Sequence, residues 1–120
     1  MKLYIAATFE AKDAMRVLAD LLTKHYGYEI TASWLYRDEP KSPNNLPIPG
    51  MCIPYAQRDL QDIDDSDALL LFSGPSPRGG KWVEFGYALA KGKQLFVCGP
   101  QSNIFTPLAQ EWAGPLPEEK

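Results

Sequence analysis

The chain has one histidine and two cysteines, and that scarcity narrows the field. His25 alone cannot build a histidine-rich metal site, and no metal or cofactor is expected. Cys52 and Cys98 are far apart and outside any CxxC spacing, which reads as two reduced thiols in a cytoplasmic protein. Basic excess is missing too: the formal charge is −3 and the isoelectric point about 5.1. Such a surface has no field for a phosphate backbone, which argues against a nucleic-acid polymer as partner. No apolar run approaches the roughly 20 residues that span a bilayer, so no membrane partner is expected. The opening MKLYIAATFEAKD has too short an apolar stretch for a signal peptide and lacks a small-residue cleavage site.

What remains is an ordinary globular composition, 45% hydrophobic and 22% charged over 120 residues. One domain over 1–112 is expected, with a disordered tail at 113–120. Residues 2–7 (KLYIAA) form a short strand-forming run, buried on both faces. Ala14, Leu18, Leu21, Leu22 and His25 recur at helical spacing, and Gly27 stands where a helix stops. Residues 28–35 (YEITASWL) alternate as a second strand. Residues 37–54, with Pro40, Pro43, Pro47, Pro49 and Pro54, read as a long irregular loop, a feature that in compact domains is usually functional or mobile. A helix over 55–64 turns Leu60 and Ile63 inward, and 67–72 (DALLLF) is a third strand. A Gly/Pro/Ser loop over 73–80 leads to a helix over 81–91, with Val83, Tyr87 and Ala88 or Ala90 available to pack. Gly92 ends it, 94–98 (QLFVC) is a fourth strand, and a short helix is expected within 103–112.

Strands alternating with helices imply a parallel sheet covered on both faces. The expected fold is α/β: a single-domain, flavodoxin-like or Rossmann-like sheet of four to five strands with order 2-1-3-4. Ligands of such sheets bind beyond the carboxyl ends of the strands, where the winding reverses. That point lies between strands one and three, beside Ala7, Thr8 and Phe9 on one side and the loop from Ser73 to Gly80 on the other.

Glu84 follows that loop and is expected in the first turn of its helix. There the helix dipole would keep it ionised, which suits a nucleophile. An acid in a first turn also stabilises a helix without any chemistry. Gly79 and Gly80 just before it allow a ligand close to the backbone. Ser73, Gly74 and Arg78 give the loop hydroxyl, backbone and guanidinium donors for an anion, although it is neither a Walker A loop nor GxGxxG. Asp59, Asp62, Asp64, Asp65 and Asp67 crowd one segment. Such mutual repulsion can raise a carboxyl pKa and make a proton donor, while a solvated helix face is the plain alternative. Tyr4 belongs in the core unless its hydroxyl reaches the cleft, where it would bond Glu84.

Three segments resemble the nucleoside 2-deoxyribosyltransferase family, which includes the 2'-deoxynucleoside 5'-monophosphate N-hydrolases. They are YIAATF from Tyr4 to Phe9, DLQDIDDSDA from Asp59 to Ala68, and EFGYA from Glu84 to Ala88 followed by Gly92 and Lys93. The last is the most specific, similar to the family signature E-[LF]-G-Y-A…GK. The resemblance implies that Glu84 attacks the anomeric carbon, that Tyr4 orients it, and that Asp59 lies by the nucleobase. It also implies a homo-oligomer with shared active sites, with Asn103 a candidate for completing a neighbour's site. Two positions depart from the family pattern. Arg78 stands about where the transferases carry a second Asp, and Ala6 and Ala7 stand where relatives often have glycine.

The reaction implied is N-glycosidic cleavage with sugar transfer to another free nucleobase, the partners being a nucleoside or nucleotide and a base. Hydrolysis of a nucleoside 5'-monophosphate is the alternative, and Arg78 would mark either a different base contact or a place for that phosphate. A non-catalytic nucleotide-binding module on the same fold is another. A flavin site is disfavoured, because Trp34 and Trp82 fall where core residues are expected.

Overall fold

The computed structural model describes residues 1–37, 50–74 and 79–114. Among the described residues, five strands form one parallel sheet: β1 (Lys2–Ala6), β2 (Glu29–Ile30), β3 (Ala68–Phe72), β4 (Gln94–Cys98) and β5 (Gln110–Glu111), in the order β2-β1-β3-β4-β5. Three helices among them, α1 (Lys12–Tyr26), α2 (Cys52–Asp64) and α3 (Gly80–Ala90), lie between the first four strands. The expected order is present with one strand added at the β4 edge.

The sheet is built around β3, whose Ala68, Leu69, Leu70 and Leu71 are all fully buried. A central parallel strand is covered on both faces, which is why its run is continuously apolar rather than alternating. Register pairs Tyr4 with Leu69 and Ile5 with Leu70. Successive side chains of β1 therefore face opposite ways. Tyr4 points toward α3, and Leu3 and Ile5 point to the other face. Right-handed crossovers place α1 on one face and α2 and α3 on the other.

The core face of α1 differs from the expected one. Met15, Ala19 and Leu22 are buried, while Ala14, Leu21 and His25 are exposed. The helix begins at Lys12, after a 3-10 turn at Phe9–Ala11, and the two sets of apolar residues lie on adjacent stripes. Gly27 ends the helix in the left-handed region, φ 71°, with its N–H on the Leu22 carbonyl.

The second strand is only two residues long, and Ser33–Tyr36 turns into a 3-10 helix. Tertiary contacts override the alternation. The buried Trp34 indole donates to the Ile5 carbonyl at 2.9 Å. Asp62, buried on α2, accepts the Ser33 N–H at 3.0 Å and the Ser33 hydroxyl, and pairs with Arg58 at 3.1 Å.

Of the proline-rich stretch, 38–49 lies outside the described residues. Its end is helical, because α2 starts at Cys52 and takes Pro54 into its first turn, where a missing N–H does no harm. Ile63 is buried and Leu60 half-buried, as expected. On α3, Ala88 is buried and Tyr87 half-buried, but Val83 is 68% exposed and Ala90 is exposed too. Instead of a helix, 103–112 holds a 3-10 turn at Thr106–Leu108 with Pro107 early in it, then β5. The Trp112 N–H donates to the Val97 carbonyl at 2.8 Å, which ties this edge to β4. Of the expected tail, 115–120 lies outside the described residues.

Much of the acidic segment is structural. Asp67 accepts the Lys2 N–H at 2.9 Å. Asp64 accepts the Tyr87 hydroxyl at 2.9 Å and pairs with Lys91 at 3.7 Å. Lys93 donates to the carbonyls of Asp64 at 2.9 Å and Ser66 at 2.7 Å. Tyr87 and Lys93 of the E-F-G-Y-A…G-K pattern thus lock α3 and the turn after it to the end of α2. No helix among the described residues is long and apolar enough to cross a membrane.

Candidate active site

Tyr4 is fully buried, mid-strand on β1, and donates its hydroxyl hydrogen to Glu84 Oε2. The hydrogen bond anticipated from the sequence is present. Glu84 is the fifth residue of α3, which begins at Gly80 after Gly79 at φ 111°. That is the second turn rather than the first, and the dipole's effect falls off within the first turn.

The expectation of an easily ionised Glu84 is therefore overturned. Burial pushes its carboxyl up to about 8, against the opposing Tyr4 hydrogen bond; Asp59 raises it further, Arg37 lowers it and Asp62 raises it. Desolvation disfavours the charged form, and here it outweighs the donor. Burial and the neighbouring Glu84 likewise hold the Tyr4 hydroxyl well above its ordinary value. Tyr4 therefore stays protonated and serves as a donor. A half-buried carboxylate with a fixed rotamer and little solvation is a high-energy anion, ready to bond or to stabilise a cation.

Asp59 lies one turn from Asp62 on α2, and both fields reach Glu84. Asp59 Oδ1 pairs with Arg37 at 3.2 Å, and the Arg37 guanidinium sits 4.2 Å from the centre of the Tyr55 ring. The sequence reading passed over Arg37 and Tyr55. Tyr55 had a signal, since it shares a helix side with Asp59; Arg37 had none, being brought in by the 3-10 turn that replaces strand two.

Of the loop residues, Ser73 is buried. Its hydroxyl donates to the Pro100 carbonyl at 2.6 Å, its N–H donates to Cys98, and its carbonyl accepts from Lys81 Nζ at 3.0 Å. Lys81 is buried, and that burial lowers its ammonium below the ordinary lysine value. Gly74 packs against Pro100, and among the described residues none stands within 4 Å of where a Gly80 side chain would begin. Arg78 lies outside the described residues. Ala7, Thr8 and Phe9 are half-buried beyond the end of β1, with the Thr8 carbonyl closing the 3-10 turn. Asn103 caps its own turn, accepting from the N–H groups of Phe105 at 2.8 Å and Thr106 at 3.2 Å. Gly99 was also missed. It has φ 121°, and a Cβ there would stand 2.7 Å from Ser73 Oγ.

Two surface clefts lie elsewhere. One is lined by Met1, Leu3, Tyr28, Phe96 and Trp112, the other by Thr31, Ser33, Arg58 and Asp62. Neither is lined by Glu84. No cluster of three or more metal-ligating side chains occurs among the described residues.

The architecture has solved counterparts. A 2-deoxyribosyltransferase from the psychrotolerant bacterium Bacillus psychrosaccharolyticus superposes with a TM-score of 0.66 at 18% identity, over 90% of this chain and 79% of that one. The chain shares that enzyme's flavodoxin-like fold. A CMP N-glycosidase from Clostridium botulinum superposes with a TM-score of 0.59 at 18% identity, over 89% of this chain and 78% of that one. No protein-family model matches the sequence, and no curated protein matches it.

Proposed function

We propose that the chain is an enzyme of the nucleoside deoxyribosyltransferase type, breaking the N-glycosidic bond of a nucleoside or nucleotide by attack of Glu84 on C1'. One observation carries the reading: a desolvated Glu84 carboxyl held by the Tyr4 hydroxyl, on the fold of a 2-deoxyribosyltransferase and a CMP N-glycosidase.

The chemistry follows from the charge. As the C1'–N bond stretches, the sugar takes on oxocarbenium character, and a carboxylate beside it gains what desolvation withheld. Glu84 Oε then bonds to C1', the bonding pair leaves with the base, and a second base or water resolves the ester with net retention. Tyr4 fixes the attacking rotamer. Transfer of the sugar to another base is the first reading. Hydrolysis of a 5'-monophosphate is the second reading, and the glycosidase likeness supports it. Asn103 completing the site of a second subunit belongs to the same proposal. Its support is the apolar surface around it, where Ile104, Phe105 and Leu108 are all more than half exposed.

Incubation with deoxynucleosides or their 5'-monophosphates, with and without a second free base, tests the reading. A new nucleoside signals transfer and free sugar or sugar phosphate signals hydrolysis. Tight binding without base release would leave a nucleotide-binding module instead.

A further inference from the structure

Arg37 belongs to none of the sequence motifs, yet several elements converge on it. Lys12, at the start of α1, donates to its backbone carbonyl, and its own N–H reaches the Trp34 carbonyl at 3.4 Å. Tyr55 lies under its guanidinium at 4.2 Å, and Asp59 holds one end at 3.2 Å. The two paired side chains are only 18% and 20% exposed. A flexible cation fixed at backbone, face and tip, and largely out of water, is a preorganised donor fork.

Its position relative to Glu84 matters. Both partners of the pair act on the Glu84 carboxyl, Asp59 against the charged form and Arg37 for it. Asp62, the third charge felt there, is occupied by Ser33 and Arg58. In retaining glycosyl transfer the group that assists the leaving group stands across the anomeric carbon from the nucleophile, and Asp59 and Glu84 lie on α2 and α3, two helices packed against each other. A general acid there would have to give a proton to the base, whereas Asp59 is engaged by the Arg37 guanidinium at 3.2 Å. A guanidinium can assist without giving up a proton, by hydrogen-bonding the charge that develops on the departing base.

Resting on the function proposed above, we propose that Arg37 is a catalytic group: its guanidinium bonds an acceptor atom of the departing nucleobase, with Asp59 and Tyr55 as its positioning residues. The electrons balance simply. The C1'–N pair leaves on the base, Arg37 stabilises that anion, the Glu84–C1' bond forms, and the base takes its proton from water on release.

The test compares wild type, Arg37→Gln and Arg37→Lys on matched substrates. One carries a natural base; the other carries the same base activated, a halogenated pyrimidine or an N7-methylated purine, which leaves with little need of help. Arg37→Gln should lose about 100-fold or more in kcat on the natural base. On the activated base it should lose less than about tenfold, and Arg37→Lys should recover part of the natural-base rate. Equal loss on both substrates, or no loss, overturns the role of Arg37 while leaving the bond chemistry intact. A wild type that releases neither base overturns the function and this role together. Should Arg37→Gln fold poorly, the same ratio read on Arg37→Lys decides.

Discussion

Tyr4 on β1 and Glu84 on α3 are 80 positions apart and joined by one hydrogen bond, with the hydroxyl as donor. The sheet brings them together because Tyr4 occupies the β1 face that α3 covers. The bond works against a burial that has moved the carboxyl to about 8. From this opposition most of the expected behaviour follows.

Glu84→Ala and Glu84→Gln should each reduce base release at least about 1,000-fold, or about 4 kcal/mol at about 1.4 per tenfold. Thermal melting should show both variants folded. Base release near the wild-type rate in either would remove Glu84 from the chemistry.

The rate should depend on pH through the same group. The nucleophile is the anion, so kcat/KM should climb with pH and level off above about 8. Tyr4→Phe deletes the donor that favours the anion, so its profile should move to higher pH and its plateau should fall about 10- to 100-fold. A profile already flat from pH 6 upward would contradict the burial argument.

Stability should respond with the opposite sense. The folded-state value lies above that of the unfolded chain, so the folded protein binds this proton more tightly between about 4.5 and 8. The contribution is complete below the unfolded value and is lost as pH rises through the folded one. Glu84→Gln keeps it. Denaturant titrations at pH 5 and pH 9 should therefore show the variant gaining on wild type by on the order of 2 kcal/mol, less than the full shift implies because Glu84 keeps some solvent contact. No change in the difference between the two pH values would count against a desolvated Glu84.

Gly99→Ala should destabilise the end of β4. It places a Cβ at φ 121° and 2.7 Å from Ser73 Oγ, and the Ser73 hydroxyl would have to leave Pro100. A loss of about 1–3 kcal/mol in chemical denaturation is expected, with full wild-type stability as the contrary result.

The layers of the fold were legible in the sequence because they rest on continuous apolar runs. The range of β4 was read as it stands, and β3 missed by one residue, since β3 begins at Ala68 after Asp67 has bonded Lys2. The short second strand was not legible. Its alternation is genuine, but the Trp34 indole and Asp62 pull the chain out of the sheet through contacts across 29 positions. The Glu84–Tyr4 pairing could be anticipated from the motif. The upward shift of the Glu84 carboxyl could not, because it depends on how much water the folded chain removes rather than on helix position. Arg37 was invisible for a related reason: only the folded turn carries it to Tyr55 and Asp59.

The most direct test of the central claim is intact-protein mass spectrometry after mixing with a deoxynucleoside or its 5'-monophosphate and quenching in acid, followed by peptide mapping. A covalent sugar adduct on Glu84, absent from Glu84→Gln, is the predicted result. Base release with no adduct at any time point, or an adduct mapping to another residue, would contradict it.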